Sequence, residues 1–277
     1  MTLDTKRGLA AENQRPVHIR PNGRNALKRV GKRIVLWIAA IVLAGVLLAV
    51  AGFVWWGTHP LGPKPVALAA LQSDGSVRVT HAASGWEFSP TSGEPTAALI
   101  YYPGGHVDAR SYAPYAHDLA RRGYLVVIPV MPLSLAVLSP DAADKVVGAH
   151  PGIARWVIGG HSLGGVMAAH YVAQHPGAMR GLVLFGSYPA SGDDLSKSGI
   201  AVLTAVGTLD KGMDRVSLAA GRKLLPPTAI YWDLQGGNHA QFGDYGPQPG
   251  DDPNPTMSAA EQRLRAVEGS LAVLRAP

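Results

Sequence analysis

The chain has 277 residues and contains no cysteine. This absence excludes disulfide bonds, a catalytic thiol and any metal site built on cysteine ligands. It leaves the cellular compartment open, because many exported proteins also lack disulfides. Internal repeats and low-complexity blocks are absent as well. Hydrophobic residues make up 47% of the chain, which is ample material for a folded core.

The formal net charge is +6, but most of the chain has no excess of basic side chains. Residues 1–33 hold nine of the 25 basic side chains and only two of the 19 acidic ones. The remaining residues are therefore close to neutral. The basic charge belongs to an N-terminal tail, and we expect no nucleic-acid binding, since the rest of the chain has no basic patch.

Charged residues are also absent from residues 34–57, which read IVLWIAAIVLAGVLLAVAGFVWWG. A helix of this length, at about 1.5 Å per residue, spans roughly 36 Å and exceeds the hydrocarbon core of about 30 Å. Lys32 and Arg33 flank one end, and Trp55 and Trp56 flank the other, where indole rings favour the membrane interface. The run therefore predicts one transmembrane helix.

The basic flank sets the predicted orientation of this helix. The positive-inside rule places residues 1–33 in the cytoplasm and the rest of the chain outside the membrane. A cleaved signal peptide is the alternative, because Ala49-Val50-Ala51 resembles a cleavage site. The long basic region and the apolar residues that continue to Trp56 favour an uncleaved anchor.

Four segments follow from this pattern. Residues 1–33 form a basic cytoplasmic tail, 34–57 the transmembrane helix, 58–66 a proline-rich linker, and 67–277 one domain of ordinary size. The predicted fold class of that domain is α/β, doubly wound, with a mostly parallel sheet and helices on both faces, because buried apolar runs alternate with helical patterns.

The individual elements are predicted as follows. Three short antiparallel strands come first, at 66–71, 76–82 and 86–90. The later strands are 97–103, 124–130, 155–160, 181–186, 200–207 and 228–234. The helices are 111–123, with Ser111 as a possible N-cap, 140–149, 163–175, 214–224 and 258–275.

A nucleophile motif lies between the strand 155–160 and the helix 163–175. Its residues, Gly160-His161-Ser162-Leu163-Gly164, match G-x-S-x-G in the strand–turn–helix context that the motif requires. Small residues on either side of Ser162 let the strand and the helix approach each other. The helix N-terminus favours developing negative charge next to the serine. The pattern predicts Ser162 as a nucleophile, and an ordinary tight turn is the alternative.

A serine nucleophile needs a base, and three histidines follow Ser162 in the chain. His170 and His175 lie along and at the end of the helix that starts at the motif, so they should point away from the serine. His239 follows the predicted strand 228–234, and ligand sites collect at the carboxyl ends of parallel strands. His239 is therefore the predicted base, and a surface loop histidine is the alternative.

The acid of a Ser–acid–His order should follow a strand between Ser162 and His239. Asp210 does so, after the run IAVLTAVGTL, and would orient the imidazole of His239. A turn or capping aspartate is the alternative for Asp210. The rival acids are Asp193, Asp194, Asp214 and Asp233.

An oxyanion hole needs two backbone N–H groups. One is predicted at Leu163, after the nucleophile, and the other at Gly105 or His106 in the loop that follows strand 97–103. His106 is also a candidate for lining the substrate pocket, as is His161. A metal site at His106 and His161 is not expected, since no i, i+4 pair or carboxylate cluster accompanies them. No cofactor is predicted.

Taken together, these motifs resemble the α/β-hydrolase superfamily, and within it the small lidless bacterial proteins related to dienelactone hydrolase. The resemblance covers about residues 68–275. It rests on YYPGG, GYLVVIP, GGHSLGG, VGTLD and GGNHAQFGDYG. It implies that Met131, Pro132 and Leu133 line the substrate pocket. Dienelactone hydrolases use cysteine where this chain has serine, so their substrate is not implied.

The sequence as a whole predicts a membrane-anchored serine hydrolase, most simply a carboxylesterase that acts on small-molecule or lipid-like esters. The stretch between strands 181–186 and 200–207 is too short for a cap domain. Two alternatives stay open. One is an acyltransferase that uses the same residues on an envelope acceptor, and the other is a non-catalytic binding protein on a hydrolase scaffold.

Overall fold

The computed structural model of the chain describes residues 23–277, and side chains from residue 28 onwards. The predicted basic tail therefore lies largely outside the described residues. The chain divides into two compact units, one ending at Ala51 and one running Gly52–Pro277. Each is described by itself.

A single long helix, α1, spans Gly23–Thr58 and begins in the first unit. Its stretch Lys28–Thr58 has 31 residues, and the 18-residue window that defines it as apolar has a mean hydropathy of 3.0 and no buried residue. This helix is long and apolar enough to cross a membrane. Its last turn, which includes Trp56 and Gly57, belongs to the second unit.

The second unit is built on a mixed, mostly parallel sheet of eight strands in the order β1-β2-β4-β3-β5-β6-β7-β8. The strands β1 and β2 pair antiparallel, as do β2 and β4, whereas every pairing from β4 through β3 to β8 is parallel. Their bounds are Val77–Ala82 (β1), Gly85–Pro90 (β2), Ala97–Tyr102 (β3), Leu125–Ile128 (β4), Arg155–His161 (β5), Gly181–Phe185 (β6), Ala201–Gly207 (β7) and Ile230–Leu234 (β8).

Helices cover both faces of this sheet, as predicted. Alternate residues of β3 enter two separate cores, Leu99 and Tyr101 on one face and Ile100 and Tyr102 on the other. The helices α3 and α7 pack on the first face, and α4 and α5 on the second. The helix bounds are Pro65–Ala69 (α2), Ala113–Ala120 (α3), Ala142–Ala149 (α4), Leu163–Gln174 (α5), Arg215–Arg222 (α6) and Ala259–Leu274 (α7).

Two predicted elements differ from the structure. The segment 66–71 forms the short helix α2 instead of a strand, because Pro65 suits the first helical turn and the alanines favour helix. A short apolar run does not distinguish the two states by itself. The helix predicted from Ser111 starts later, at Ala113, after a 3₁₀ turn over Ala109–Tyr112 that Asp108 caps.

The strand order places a topological switch point at β3 and β5. The chain moves from β3 outwards to β4, and then returns to the other side of β3 with β5 and continues to β8. Loops that leave β3 and β5 therefore diverge, and a crevice opens between them at the carboxyl edge of the sheet. Ser162 and the loop that starts at Pro103 both lie at this edge.

Candidate active site

Ser162 occupies a strained turn between β5 and α5. Its backbone angles are φ 52° and ψ −125°, a region that residues other than glycine rarely adopt. A Cβ on Gly160 would lie 2.5 Å from the carbonyl carbon of Gly164, and one on Gly164 would overlap the Tyr102 carbonyl oxygen. The two glycines are therefore needed for the close approach of strand and helix, which holds the serine at the tip of the turn.

Asp210 and His239 form a buried hydrogen-bonded pair. Asp210 Oδ2 accepts a hydrogen bond from His239 Nδ1 at 2.9 Å, and the two side chains are 0% and 1% exposed. A donating Nδ1 leaves Nε2 as the unprotonated nitrogen of the ring, which is the form that accepts a proton. Within the described part of the chain, Nε2 has no hydrogen-bond partner.

The loops that carry this pair are joined by backbone hydrogen bonds. They follow the neighbouring parallel strands β7 and β8, and Leu209 N–H donates to the Gly237 carbonyl at 2.9 Å. The Arg215 guanidinium donates to the carbonyl of Asp210 at 3.3 Å and to that of Gly207 at 3.2 Å. Strand pairing thus brings the two loops together, and Arg215 constrains the first of them.

The serine turn and the buried pair lie side by side. Ser162 N–H donates to the Phe185 carbonyl at 3.0 Å, and the next residue, Gly186, lies so close to His239 that a Cβ there would be 2.9 Å from Nδ1. The ring of His161, next to Ser162 in the chain, is centred 4.5 Å from that of His239. No hydrogen bond joins Ser162 Oγ to His239 in the described residues.

Two of the three predicted oxyanion donors have N–H groups that are free among residues 23–277. The N–H groups of Gly105 and Leu163 donate to no protein acceptor there, and a Cβ on Gly105 would lie 3.1 Å from the Leu163 side chain. His106 N–H instead donates to the Ser134 carbonyl at 2.8 Å. The geometry therefore favours Gly105 over His106 as the donor from this loop.

A hydrogen-bonded chain connects the two loops that flank the crevice. Gly104 N–H donates to the Tyr112 hydroxyl at 2.9 Å, and this hydroxyl lies 2.9 Å from His161 Nδ1. If Tyr112 donates to Nδ1, the imidazole proton lies on Nε2, which is buried and has no hydrogen-bond partner among the described residues. Burial lowers the pKa of His161 well below its usual value, and the neighbouring His239 lowers it further. The ring is therefore neutral at neutral pH.

The other predicted pocket residues lie farther along the same edge. His161 is buried behind His239, with 1% of its surface exposed. Met131 lines a cavity of about 330 Å³ and Pro132 a second one of about 320 Å³, and Ser162 lines neither. Met131 itself is buried, whereas Pro132 is exposed.

The rival acids and bases have other partners. Asp193 accepts from His170 Nδ1 at 2.9 Å, which pairs two candidates away from Ser162. Asp214 caps α6, and Asp233 is exposed on the edge strand β8, 3.3 Å from Arg222. Asp210 is thus the acid that meets His239.

Several residues at the site were not predicted from the sequence. Ser187 Oγ donates to the Ser162 carbonyl at 2.8 Å, and Asp251 accepts from Ala240 N–H at 2.8 Å and from Lys211 N–H at 3.3 Å. No local motif marks either residue. Among the described residues, no group of three or more metal-ligating His, Asp or Glu side chains occurs.

Comparison with known proteins agrees with this architecture. The alpha/beta hydrolase family matches residues 98–264, which is more than half of the chain and includes Ser162, Asp210 and His239. No curated protein matches the chain.

Solved structures share the fold at low sequence identity. Dienelactone hydrolase from Anabaena variabilis has a TM-score of 0.54 at 16% identity, over 72% of this chain and all of its own. The TT1662 protein from Thermus thermophilus has a TM-score of 0.52 at 15% identity, over 73% of this chain and 99% of its own. A candidate lipase from Acinetobacter baumannii has a TM-score of 0.53 at 15% identity, over 72% of this chain and 92% of its own. With the family match and this fold, the chain belongs to the alpha/beta hydrolase family.

Proposed function

We propose that this hydrolase-family protein is a membrane-anchored serine esterase that cleaves carboxylic esters through an acyl-enzyme on Ser162. One observation carries the proposal. The buried Asp210–His239 hydrogen bond, 2.9 Å long, lies beside a serine held in a strained turn at a helix N-terminus. An orienting acid, a base with a free Nε2 and a half-buried serine hydroxyl are the parts that acyl transfer requires.

In the acylation step, Ser162 Oγ attacks the ester carbonyl carbon while His239 Nε2 takes the hydroxyl proton. The carbonyl oxygen becomes an oxyanion, which the N–H groups of Gly105 and Leu163 stabilise. The tetrahedral intermediate then collapses, the bond to the alcohol oxygen breaks, and His239 returns the proton to the leaving alcohol. Asp210 stabilises the imidazolium that forms between these two proton transfers.

In the second step, a water molecule takes the place of the alcohol. His239 removes a proton from this water, which attacks the acyl carbon and forms a second tetrahedral intermediate. Collapse breaks the bond to Ser162 Oγ, releases the carboxylic acid and returns the proton to the serine. An alcohol acceptor in place of water would give transfer by the same steps.

The proposed location rests on α1. Its apolar stretch is long enough to cross a bilayer, Trp55 and Trp56 stand at one end, and the basic tail 1–33 stands at the other. We therefore propose a cytoplasmic N-terminus, an anchor over 34–57, a linker over 58–66 and an extracytoplasmic hydrolase domain over 67–277. Small-molecule or lipid-like esters are the proposed substrates.

Covalent labelling tests the nucleophile. The full-length protein should react with a fluorophosphonate probe, and Ser162→Ala should abolish the labelling. Ser187→Ala is a matched control, because this serine touches the same turn through the Ser162 carbonyl and has no proposed nucleophilic role. Absence of labelling in the wild type, or equal labelling of Ser162→Ala, contradicts the proposal. Product analysis with water and with an added alcohol then separates hydrolysis from transfer.

Topology has a separate test, which the absence of cysteine makes simple. Val216→Cys introduces one thiol on the exposed side of α6. A membrane-impermeant maleimide should label this variant in intact spheroplasts if the domain is extracytoplasmic. Labelling that requires lysis would reverse the proposed orientation.

A further inference from the structure

A segment beside the oxyanion loop has an unusual surface. Residues 130–138, VMPLSLAVL, are called the interfacial loop here. They contain no charged side chain, and charges are absent from the whole stretch 123–140. Val130, Val137 and Leu138 are 58%, 51% and 48% exposed. Three large aliphatic side chains on one short loop are therefore exposed, and Ser134 is the one polar side chain in that loop.

The interfacial loop packs on the last turn of α1, within the second unit. Gly57 lies so close to Leu133 that a Cβ on the glycine would be 2.7 Å from that of the leucine. Ser134 Oγ donates to the Gly57 carbonyl at 3.2 Å. Leu133 and Ser134 both have positive φ, 49° and 57°, a conformation that persists only where the surroundings hold it. The helix end is part of those surroundings.

The same helix end contacts the oxyanion loop. The ring of Trp56 stacks on that of His106, with centres 4.0 Å apart and planes 7° apart, and His106 Nε2 lies 2.8 Å from the Trp56 carbonyl oxygen. His106 N–H donates to the Ser134 carbonyl, and the Leu135 side chain lies against Gly105. The helix end, the interfacial loop and the proposed oxyanion donor thus form one contact network.

We propose that the interfacial loop inserts into the headgroup–acyl boundary of the outer leaflet of a phospholipid bilayer and holds the mouth of the site against it. The proposal rests on the membrane anchoring proposed above. Gly57 is the last residue of the apolar run 34–57, so a loop that touches it lies at the level of the membrane surface. Exposed aliphatic side chains without charges match that layer, and Trp56 belongs to the residue types that favour it.

This placement defines the substrate class more closely. An ester dissolved in the outer leaflet would reach Ser162 by passing Leu135 and Leu163, which flank Gly105, without first entering water. The substrates are therefore esters that partition into the bilayer. Because apolar contact drives the insertion, zwitterionic lipid suffices, and binding of the loop does not depend on salt.

Site-specific fluorescence tests the insertion without any catalytic readout. The full-length protein carrying Val137→Cys is labelled with a nitrobenzoxadiazole dye and reconstituted into phosphatidylcholine vesicles. The dye should be quenched by lipids with a doxyl group near the headgroup and shielded from iodide in the water. Val216→Cys is the matched control, because Val216 is 78% exposed on α6. A dye at this position should be accessible to iodide and unquenched by the doxyl lipids.

A third label separates failure of the loop from failure of the anchor. A dye on Leu43→Cys, in the middle of the apolar run, should be quenched by doxyl groups deep in the bilayer. If the dye at position 43 is quenched by the deep doxyl groups while the dye at position 137 is fully accessible to iodide, the loop proposal is overturned and the anchor stays intact. A dye at 137 that is shielded from iodide but unquenched by doxyl lipids means that protein covers the loop, and this also overturns the proposal.

Activity provides the second test, in variants that leave the proposed catalytic residues unchanged. Val137→Asp with Leu138→Asp places two charges on the interfacial loop. Turnover of a long-chain ester carried in phosphatidylcholine vesicles should fall about tenfold or more, because charged side chains oppose insertion of the loop into the headgroup–acyl boundary. Hydrolysis of a water-soluble short-chain ester should stay within about twofold. Equal losses on both substrates contradict the proposal.

Discussion

Asp210 Oδ2 and His239 Nδ1 lie 2.9 Å apart, and both side chains are almost entirely buried. The two residues are 29 positions apart in the chain and come from the loops after neighbouring parallel strands. The contact keeps His239 Nε2 free to take a proton. If this pair drives catalysis, the carboxylate should matter far more than any other aspartate near the site.

We expect Asp210→Asn to lower kcat for a soluble ester by about 10³- to 10⁴-fold, because an amide selects the wrong imidazole tautomer. The substitution preserves size, so the fold should be retained. Asp193→Asn and Asp214→Asn are the matched controls, since these carboxylates bind His170 and cap α6. Steady-state kinetics checks the result. A loss of kcat confined to one control variant would instead assign the role of the acid to the aspartate replaced in that variant.

Tyr112 should be more important than its neighbour Tyr101, although both rings are fully buried. Tyr112→Phe leaves Gly104 N–H and His161 Nδ1 unpaired and should lower the free energy of unfolding by about 1–3 kcal/mol. It should also lower kcat, because Gly104 precedes the proposed oxyanion donor Gly105. Thermal unfolding in detergent and ester kinetics measure the two effects.

Tyr101→Phe is the control for this prediction. In the described structure the buried Tyr101 hydroxyl has no hydrogen-bond partner, so its removal should leave stability unchanged or raise it. Equal destabilisation of Tyr112→Phe and Tyr101→Phe would mean that the Gly104–Tyr112–His161 chain has no energetic role.

His161 should make the folded state sensitive to mild acid. Burial holds its pKa well below the usual value, so below pH about 6.5 the unfolded chain binds a proton that the folded chain does not. The free energy of unfolding therefore keeps its full contribution from neutral His161 above pH about 6.5. This contribution falls as the pH drops below that value, by up to about 1.4 kcal/mol per pH unit.

His161→Gln should remove that part of the pH dependence. Denaturant unfolding at several values between pH 7.5 and 5 should show a shallower decline for the variant than for the wild type. His117, whose pKa burial also lowers, contributes equally to both proteins. Parallel curves for the two proteins would contradict the expected neutral, buried state of His161.

Asp251 is expected to act as a positioning residue for His239. Its carboxylate joins the backbone of Ala240, next to His239, to that of Lys211, next to Asp210. Asp251→Ala should lower kcat about 10- to 100-fold with little change in KM, because loss of orientation acts on the chemical step. Asp251→Asn keeps one acceptor oxygen and should recover most of the activity. An unchanged kcat in Asp251→Ala would contradict the positioning role, and an equal loss in both variants would mean that both acceptor oxygens are required.

Local pattern was sufficient for much of the fold. The alternation of buried apolar runs with helices predicted a doubly wound sheet, and the structure confirms it, because parallel strands buried on both faces need continuous apolar residues. The segment 66–71 was predicted wrongly, since five or six apolar residues fit a strand and a helix equally well.

The chain by itself determined the turn at Ser162, the apolar helix and the order of Ser162, Asp210 and His239 along the sequence. Each depends on residues close together in sequence or on a fixed order along one fold. Only the tertiary structure decided which aspartate meets His239, that His106 N–H is engaged by Ser134, and that Trp56 stacks on His106. These contacts join residues 28 to 50 positions apart, and their geometry depends on strand order and loop packing, which no local pattern encodes.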